Sequence, residues 1–342
     1  MAGDIVLLTG ATGFIGFRTL VLLLEAGYAV RTAVRTAADF DRIKSIKSVA
    51  AYTSKLEFVV VADITLPGAY DEAVKGVDYV VHMASPFASS EVQNADDHET
   101  AYIQPAVNGT IGMLDSASKV PSIERVVITG SILSIKSFGA ADGSTIIDEG
   151  HRSAKIKGPY ANWAAAYAAS KVRAFDATKQ WCKEHNPSFN VINILPVFVL
   201  GRDETLTDAS ALLKGSNNVL LSPLLGNPAA GVYPGIPVHV DDVAELHVRS
   251  LDRSVPGNQD YIACSHSLQG VEWAQSFDIV KKHFPKECEA GIFKLNTTER
   301  PQTTKLLVDA SKAENTFGIT FKSFEEQVLS IVGQYVELLG RK

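Results

Sequence analysis

Only three cysteines occur in the 342 residues, Cys182, Cys264 and Cys288. They are odd in number, far apart and without any C-x-x-C spacing, which argues against a disulfide framework and a zinc site and predicts reduced thiols in a cytoplasmic protein. No apolar run reaches the ~18 residues that a membrane span requires, so no membrane partner is expected. Met1 to Asp4 lead straight into an apolar run, leaving no room for a basic region, an apolar stretch and a cleavage site. A basic block is missing too: 32 basic residues face 38 acidic ones, a formal net charge of −6. A polyanion would have to bind against that field, which counts against nucleic acid as a partner. Internal repeats and low-complexity segments are absent as well. What is there is 46% hydrophobic, enough for a full core in one large domain or in one domain with a smaller companion.

The most informative segment is Thr9-Gly10-Ala11-Thr12-Gly13-Phe14-Ile15-Gly16. It follows the apolar run Ile5–Leu8 and opens a helical run from Phe17 to Ala26. Strand, glycine turn and helix in that order make a dinucleotide cradle. Gly10 permits the tight turn, Gly13 lacks the Cβ that would block a pyrophosphate, and Gly16 lets the helix pack on the strand. The phosphates would meet backbone N–H groups at the positive end of the helix dipole. A glycine-rich turn without chemistry is the competing reading, and the flanking elements count against it.

Further strands read from the sequence are Ala29–Arg35, Leu56–Ala62, Tyr79–Ala84 and Arg125–Thr129, with helical stretches between them, notably Ala101–Lys119. Apolar strands alternating with helices specify an α/β fold, a Rossmann-type doubly wound parallel sheet. Ligands of such sheets bind at the carboxyl ends of the strands. After the second strand comes Arg35, with Arg31 and Lys44 nearby, where an NAD enzyme presents an acid; this favours a 2′-phosphate and hence NADPH (NADP+). A solvated surface arginine is the alternative. Asp63-Ile64 follows the third strand, where the carboxylate can accept from an adenine amino group or serve a turn. The fourth strand ends in His82-Met83-Ala84-Ser85-Pro86, small groups that let backbone pass under a cofactor; His82 reads as a satisfied structural histidine.

Tyr167-Ala168-Ala169-Ser170-Lys171 lies in an alanine-rich helical stretch, which puts residues 167 and 171 on one face. An ammonium beside a phenol stabilises phenolate and lowers its pKa toward neutrality, as a general acid for a carbonyl oxygen needs. A chance Y-x-x-x-K is common, and the position after the fifth strand is what singles this one out. That strand ends in Thr129-Gly130-Ser131, where the Ser131 hydroxyl can hold a carbonyl for hydride attack or cap a turn.

Thr9–Gly16, Asp63-Ile64, His82–Pro86, Thr129–Ser131, Tyr167–Lys171, Ile194-Leu195-Pro196 and Pro237–Ala244 stand in the order seen in extended short-chain dehydrogenases/reductases. The resemblance spans about residues 5 to 250. Ala84-Ser85-Pro86 and Arg35 make the chain similar to the dihydroflavonol reductase and cinnamoyl-CoA reductase branch, including fungal NADPH-dependent aldehyde and ketone reductases of the methylglyoxal type. The resemblance implies a Ser131, Tyr167, Lys171 triad, with Lys171 also on the nicotinamide ribose. It implies a cofactor site of Thr9, Gly10, Thr12, Gly13, Phe14, Ile15, Gly16, Arg35, Lys44, Asp63, Ile64, Met83, Ala84, Ser85, Tyr167, Lys171, Pro196 and Val199. Asn108 resembles a helix asparagine that supports proton relay, with a plain helix kink at Asn-Gly as an equal alternative. Asn162-Trp163 is followed by three alanines, a departure from the cinnamoyl-CoA reductase signature that counts against a CoA thioester substrate. Gly130 replaces the usual second hydroxyl before the serine.

Beyond about residue 196 the alternation breaks up: Phe198–Gly201 and Leu220–Pro228 are apolar but punctuated by glycine and proline, as in a loop-rich substrate-binding lobe. The expected division is residues 1–196 plus about 237–262 for the cofactor domain and about 197–236 plus 263–342 for the lobe. Val238–Val240 reads as a strand, and Asp241-Asp242 opens a helix from Val243 to Leu251 as structural charges. Gly291–Lys294 and Leu306–Val308 read as short strands. Phe324–Leu339 reads as an amphipathic helix with Leu329, Val332 and Val336 inward. Phe87, Leu133, Trp163, Phe198, Leu224 and Tyr233 are the candidates for an apolar substrate pocket, each equally readable as core. The expected activity is NADPH-dependent reduction of an apolar aldehyde or ketone by a monomer or homodimer. A nucleotide-sugar epimerase or dehydratase is the first alternative, which Arg202, Arg249, Arg253, Arg300 and Arg341 supply thinly with phosphate grips. An NADP-sensing regulator is the second; it would not need the intact triad.

Overall fold

Ile5–Thr9 forms β1 at the heart of a seven-stranded sheet of order β11-β7-β5-β4-β1-β2-β3. The computed structural model describes residues 3–85, 97–136, 144–154, 157–229, 231–295 and 300–340. In chain order β1 is followed by α1 (Phe14–Glu25), β2 (Ala29–Val34), α2 (Ala37–Lys44), the single turn α3 (Lys47–Ala50), β3 (Leu56–Val60), β4 (Tyr79–His82), α4 (Gln104–Ser118), β5 (Arg125–Thr129), β6 (Ile146–Ile147), α5 (Trp163–His185) and β7 (Asn190–Pro196). β1 pairs in parallel with β2 and β4, β4 with β5, and β5 with β7. All four residues of β4 and the last four of β1 are buried, as in a sheet covered on both faces.

Not every strand meets that expectation. β3 is the sheet edge, so Phe58 and Val60 are exposed and the strand stops at Val60 rather than Ala62. β4 stops at His82, and the helix expected from Ala101 begins with a π-helical turn, Glu99–Ile103, before α4.

Two compact units emerge, one from residues 1–139, 149–195 and 244–261, the other from residues 140–148, 196–243 and 262–342. The first unit contains the sheet core around Leu7, Val80, Val126 and Trp181. The second begins with β8 (Phe198–Leu200), α6 (Asn218–Leu224), β9 (Tyr233–Pro234) and β10 (Pro237–His239), which leads directly into α7 (Val240–Arg249). After β11 (Asp260–Ala263) come α8 (Gln275–His283), α9 (Pro285–Glu289), β12 (Thr303–Thr304), β13 (Leu307–Val308), α10 (Ser311–Phe317) and α11 (Phe324–Leu338). Short parallel pairs link β8 with β10, β9 with β12 and β6 with β13.

Asp242 accepts the Lys322 backbone N–H at 2.9 Å, and both Asp241 and Asp242 ion-pair with the Lys322 ammonium. Gly291–Lys294 forms turns and bends rather than a strand, with Lys294 N–H bonded to Leu224 C=O. On α11 the buried apolar face is Phe324, Val328, Ile331, Val332 and Val336; Leu329 falls on its shoulder, half-buried. A Ser323–Glu326 capping box starts that helix, with the side chain of each residue bonded to the backbone N–H of the other. Among the described residues no helix is long and apolar enough to cross a membrane, and Cys182, Cys264 and Cys288 are free thiols.

Candidate active site

The glycine turn is built by collisions that side chains would cause. Gly10 has φ +77°, and a Cβ there would lie 2.9 Å from Ala84 N. At Gly16 a Cβ would lie 2.0 Å from Gly10 O, so helix and turn close on each other only through glycine. Gly13 differs: its Cβ would meet only Gly10 O, at an ordinary 3.5 Å. Gly13 is also the N-cap of α1, with no side-chain hydrogen bond at the cap and no acidic residue in the first turn. An uncapped helix start beside a glycine with open space suits the diphosphate of a dinucleotide. Thr12, Phe14 and Ile15 complete this turn and are half-buried.

Thr9 ties β1 to the end of β4. Its Oγ1 accepts the N–H of Met83 at 3.0 Å and of Ala84 at 2.9 Å, and contacts His82 Nδ1 at 3.0 Å. Ser85 carries this strand end onward to Lys171, whose Nζ donates to Ser85 Oγ at 3.2 Å. Pro86 and Phe87 lie outside the described residues. Burial, with the Lys171 charge adding to it, holds the His82 imidazole down to about 4.

α5 carries Tyr167 and Lys171. Asn162 caps it by accepting Ala165 N–H at 2.9 Å, and Trp163, its first residue, is exposed. Ala166, Ala168 and Ala169 are fully buried, so small side chains seat this helix closely and fix the phase of Tyr167 and Lys171. Lys171 Nζ lies 5.3 Å from the Tyr167 ring centroid, and both residues are half-buried. α5 also packs on the 3₁₀ turn Ile132–Ser134, which Ser131 caps by accepting Leu133 N–H at 3.2 Å. A Cβ on Gly130 would lie 2.6 Å from Leu195 Cδ2, so a larger residue before Ser131 would require the Leu195 side chain to shift.

Around the second strand the structure redistributes the expected cations. Arg35 is exposed directly after β2. Arg31 is consumed by Glu57 and by the carbonyls of Ala73 and Lys75. Lys44 lies over the Phe40 ring, 5.6 Å from its centroid. Arg42, not singled out from the sequence, reaches the glycine turn and donates to Thr12 O at 3.3 Å. Its signal was present: an arginine seven residues after Arg35, on the first helix following β2.

Other expectations shift as well. Asp63 takes the turn role, its Oδ1 accepting from Thr65 N and Oγ1, which lowers its pKa. Ile64 packs against α4, where a Cβ on Gly109 would meet it at 3.2 Å. Asn108 is exposed on α4, whereas Ala106 and Thr110 on the same helix line a recess with Lys171. Leu133 is half-buried near Ser131. In the second unit Leu224 is completely buried in a cluster with Trp273 and Phe277, as core rather than pocket lining. Phe198 stands edge-on to Tyr233 at 5.6 Å, both half-buried. Pro196 ends β7 and Val199 lies in β8, both buried.

A doubly wound parallel sheet, a glycine turn at its first crossover and a Tyr-x-x-x-Lys helix after its fifth strand define an extended short-chain dehydrogenase/reductase. The chain belongs to the NAD dependent epimerase/dehydratase family, whose profile matches residues 6–264. It is 37% identical to ketoreductase CTB6 of Cercospora nicotianae over 347 aligned positions, 99% of this chain and 96% of that protein. It is 32% identical to ketoreductase sphI of Aspergillus fumigatus over 98% of this chain and 99% of that one. Among solved structures, Gre2 of Candida albicans in complex with NADPH superposes with a TM-score of 0.81 at 26% identity, covering 98% of this chain and 99% of the other. These relatives place the chain in the dihydroflavonol reductase-like branch with its fungal reductases.

Proposed function

We propose that this protein is an NADPH-dependent carbonyl reductase that converts a small, mostly apolar aldehyde or ketone to the alcohol. The observation that carries the reading is the Lys171 ammonium 5.3 Å from the Tyr167 ring, anchored by Ser85 beside the strand end that Thr9 holds. Bound NADPH supplies the hydride. The backbone of Gly10–Gly16 receives the diphosphate, with the α1 dipole favouring its charge. Arg35, joined by Arg42, offers planar donors to the 2′-phosphate. Met83, Ala84 and Ser85 give a small-residue floor along the cofactor. Ser131 donates to the carbonyl oxygen and holds it in place as charge develops. Tyr167 delivers the proton to that oxygen, and Lys171 favours the phenolate left behind.

The nucleotide-sugar alternative needs cations for a second diphosphate. Each described arginine from residue 201 onward has a carboxylate partner: Arg202 with Glu337, Arg249 with Glu245, Arg253 with Glu124 and Arg300 with Asp278. That arrangement, with the ketoreductase relatives, favours a simple carbonyl substrate over a nucleotide sugar. The unpaired thiols suit a reducing compartment, and we place the protein in the cytoplasm, as a monomer or homodimer.

The test mixes purified protein with NADPH or NADH and a panel of hydrophobic aldehydes and ketones, following reduced-cofactor absorbance. Turnover that prefers NADPH is expected. Tyr167→Phe should keep NADPH affinity and lose at least ~10²-fold in turnover, the scale of a removed general acid. Binding of NADPH without any turnover would overturn the reading in favour of a sensor or of nucleotide-sugar chemistry.

A further inference from the structure

Behind Lys171 lies a recess lined in part by His82, a group with no part in the chemistry described above. Thr9 Oγ1 accepts two backbone N–H groups, which fills both acceptor positions of a hydroxyl. Its proton therefore goes to His82 Nδ1, 3.0 Å away, and fixes the imidazole as the Nε2–H tautomer. That N–H sits on a ring only 2% exposed and has no hydrogen-bond partner among the described residues. Ser134 Oγ, also buried, has none either. Both residues line one recess with Lys171, Thr129 and Asn193, with room of about 30 Å³ for water centres. An internal water needs roughly 10–15 Å³ by this measure and two to four polar partners, so both conditions are met.

We infer that the recess holds an ordered water that accepts from His82 Nε2–H and from the Lys171 ammonium and donates to Ser134 Oγ. His82 is then a positioning residue: it acts through this water to keep Lys171 turned toward Tyr167. The inference rests on the roles given to Tyr167 and Lys171 above. It also accounts for a buried imidazole that is satisfied on one side only. The direct bond to Ser85 comes from an exposed residue, whereas the water would tie the ammonium to the buried end of β4.

A crystal structure of the protein should show water density within hydrogen-bond distance, about 3 Å, of His82 Nε2. A dry recess would overturn the proposal. In solution, His82→Asn keeps an acceptor for Thr9 but removes the donor into the recess, whereas His82→Gln keeps a donor near the Nε2 position. With a ketone or aldehyde that the native enzyme reduces, His82→Asn should lower kcat about tenfold while carbonyl KM and NADPH affinity hold, and His82→Gln should recover most of the loss. A folded His82→Asn enzyme with native kcat, or a His82→Gln enzyme equally impaired, would count against the water. Should His82→Asn not fold, Ser134→Ala probes the same water from its other side, and native kcat there would overturn the role. Tyr167→Phe keeps the two readings separable. An active Tyr167→Phe enzyme removes the reductase mechanism itself, whereas an inactive one beside a fully active His82→Asn removes only the water.

Discussion

The hydroxyl of Thr9 gathers two strand ends by accepting from Met83 and Ala84, and it leaves His82 neutral and buried. This has a consequence in acid. The folded imidazole titrates at about 4, below the ~6.5 of an unfolded chain, so between those values only the unfolded state takes up the proton. Stability therefore rises with pH across that window and is lost on acidification, by about 3 kcal/mol at full extent. Denaturant midpoints measured from pH 4 to 7 should show this slope in the native protein and a flatter one in His82→Asn; equal slopes would assign the acid sensitivity elsewhere. At the other end of the cofactor, Arg35→Glu should raise KM for NADPH far more than for NADH, and Arg42→Glu should do the same. Equal effects on both cofactors would refute the 2′-phosphate role.

Among the elements, the turn between β1 and α1 separates what glycine does for the fold from what it does for a ligand. A Cβ at Gly16 would sit 2.0 Å from Gly10 O, so Gly16→Ala should cost about 1–3 kcal/mol of stability, the range for overpacking. At Gly13 the Cβ meets nothing closer than 3.5 Å, so Gly13→Ala should melt near the native temperature yet bind NADPH at least ~10-fold more weakly, as an obstructed cradle requires. Native affinity in Gly13→Ala would place the diphosphate elsewhere. This turn was legible because its meaning lies in spacing along the chain, and the same holds for Tyr167 and Lys171, one helical turn apart. Properties set by distant partners were not. Nothing local marks β3 as the sheet edge, so Phe58 and Val60 read as buried until the strand order is known. Choosing between Arg42 and Lys44 depends on the phase of α2 against the glycine turn, and the apolar Leu224 looks the same in a pocket as in the core it joins. His82 read as satisfied because a histidine in an apolar strand is ordinarily a paired core group, and its actual partner, Thr9, lies 73 residues away in the chain.

At the scale of the molecule, the first unit is closed by a segment that arrives late in the chain. Arg125 on β5, only 5% exposed, donates to the carbonyls of Ser250, Asp252 and Val255 just beyond α7. Arg125→Met would leave three carbonyls without their donor, at a cost of about 3 kcal/mol in urea unfolding. A change below about 1 kcal/mol would mean that water reaches these groups. The same segment supplies β11, the outer neighbour of β7, with Asn193 N–H bonded to Gln259 C=O.

During synthesis, then, the ribosome releases β5 with a guanidinium whose first acceptor lies 125 residues downstream. It also releases β7, six of whose seven residues end up buried, before the strand that will cover its edge exists. Until residues 244–263 emerge, the nascent sheet presents a bare apolar rim to its surroundings. A message truncated anywhere in that interval would yield a sticky fragment rather than a smaller enzyme.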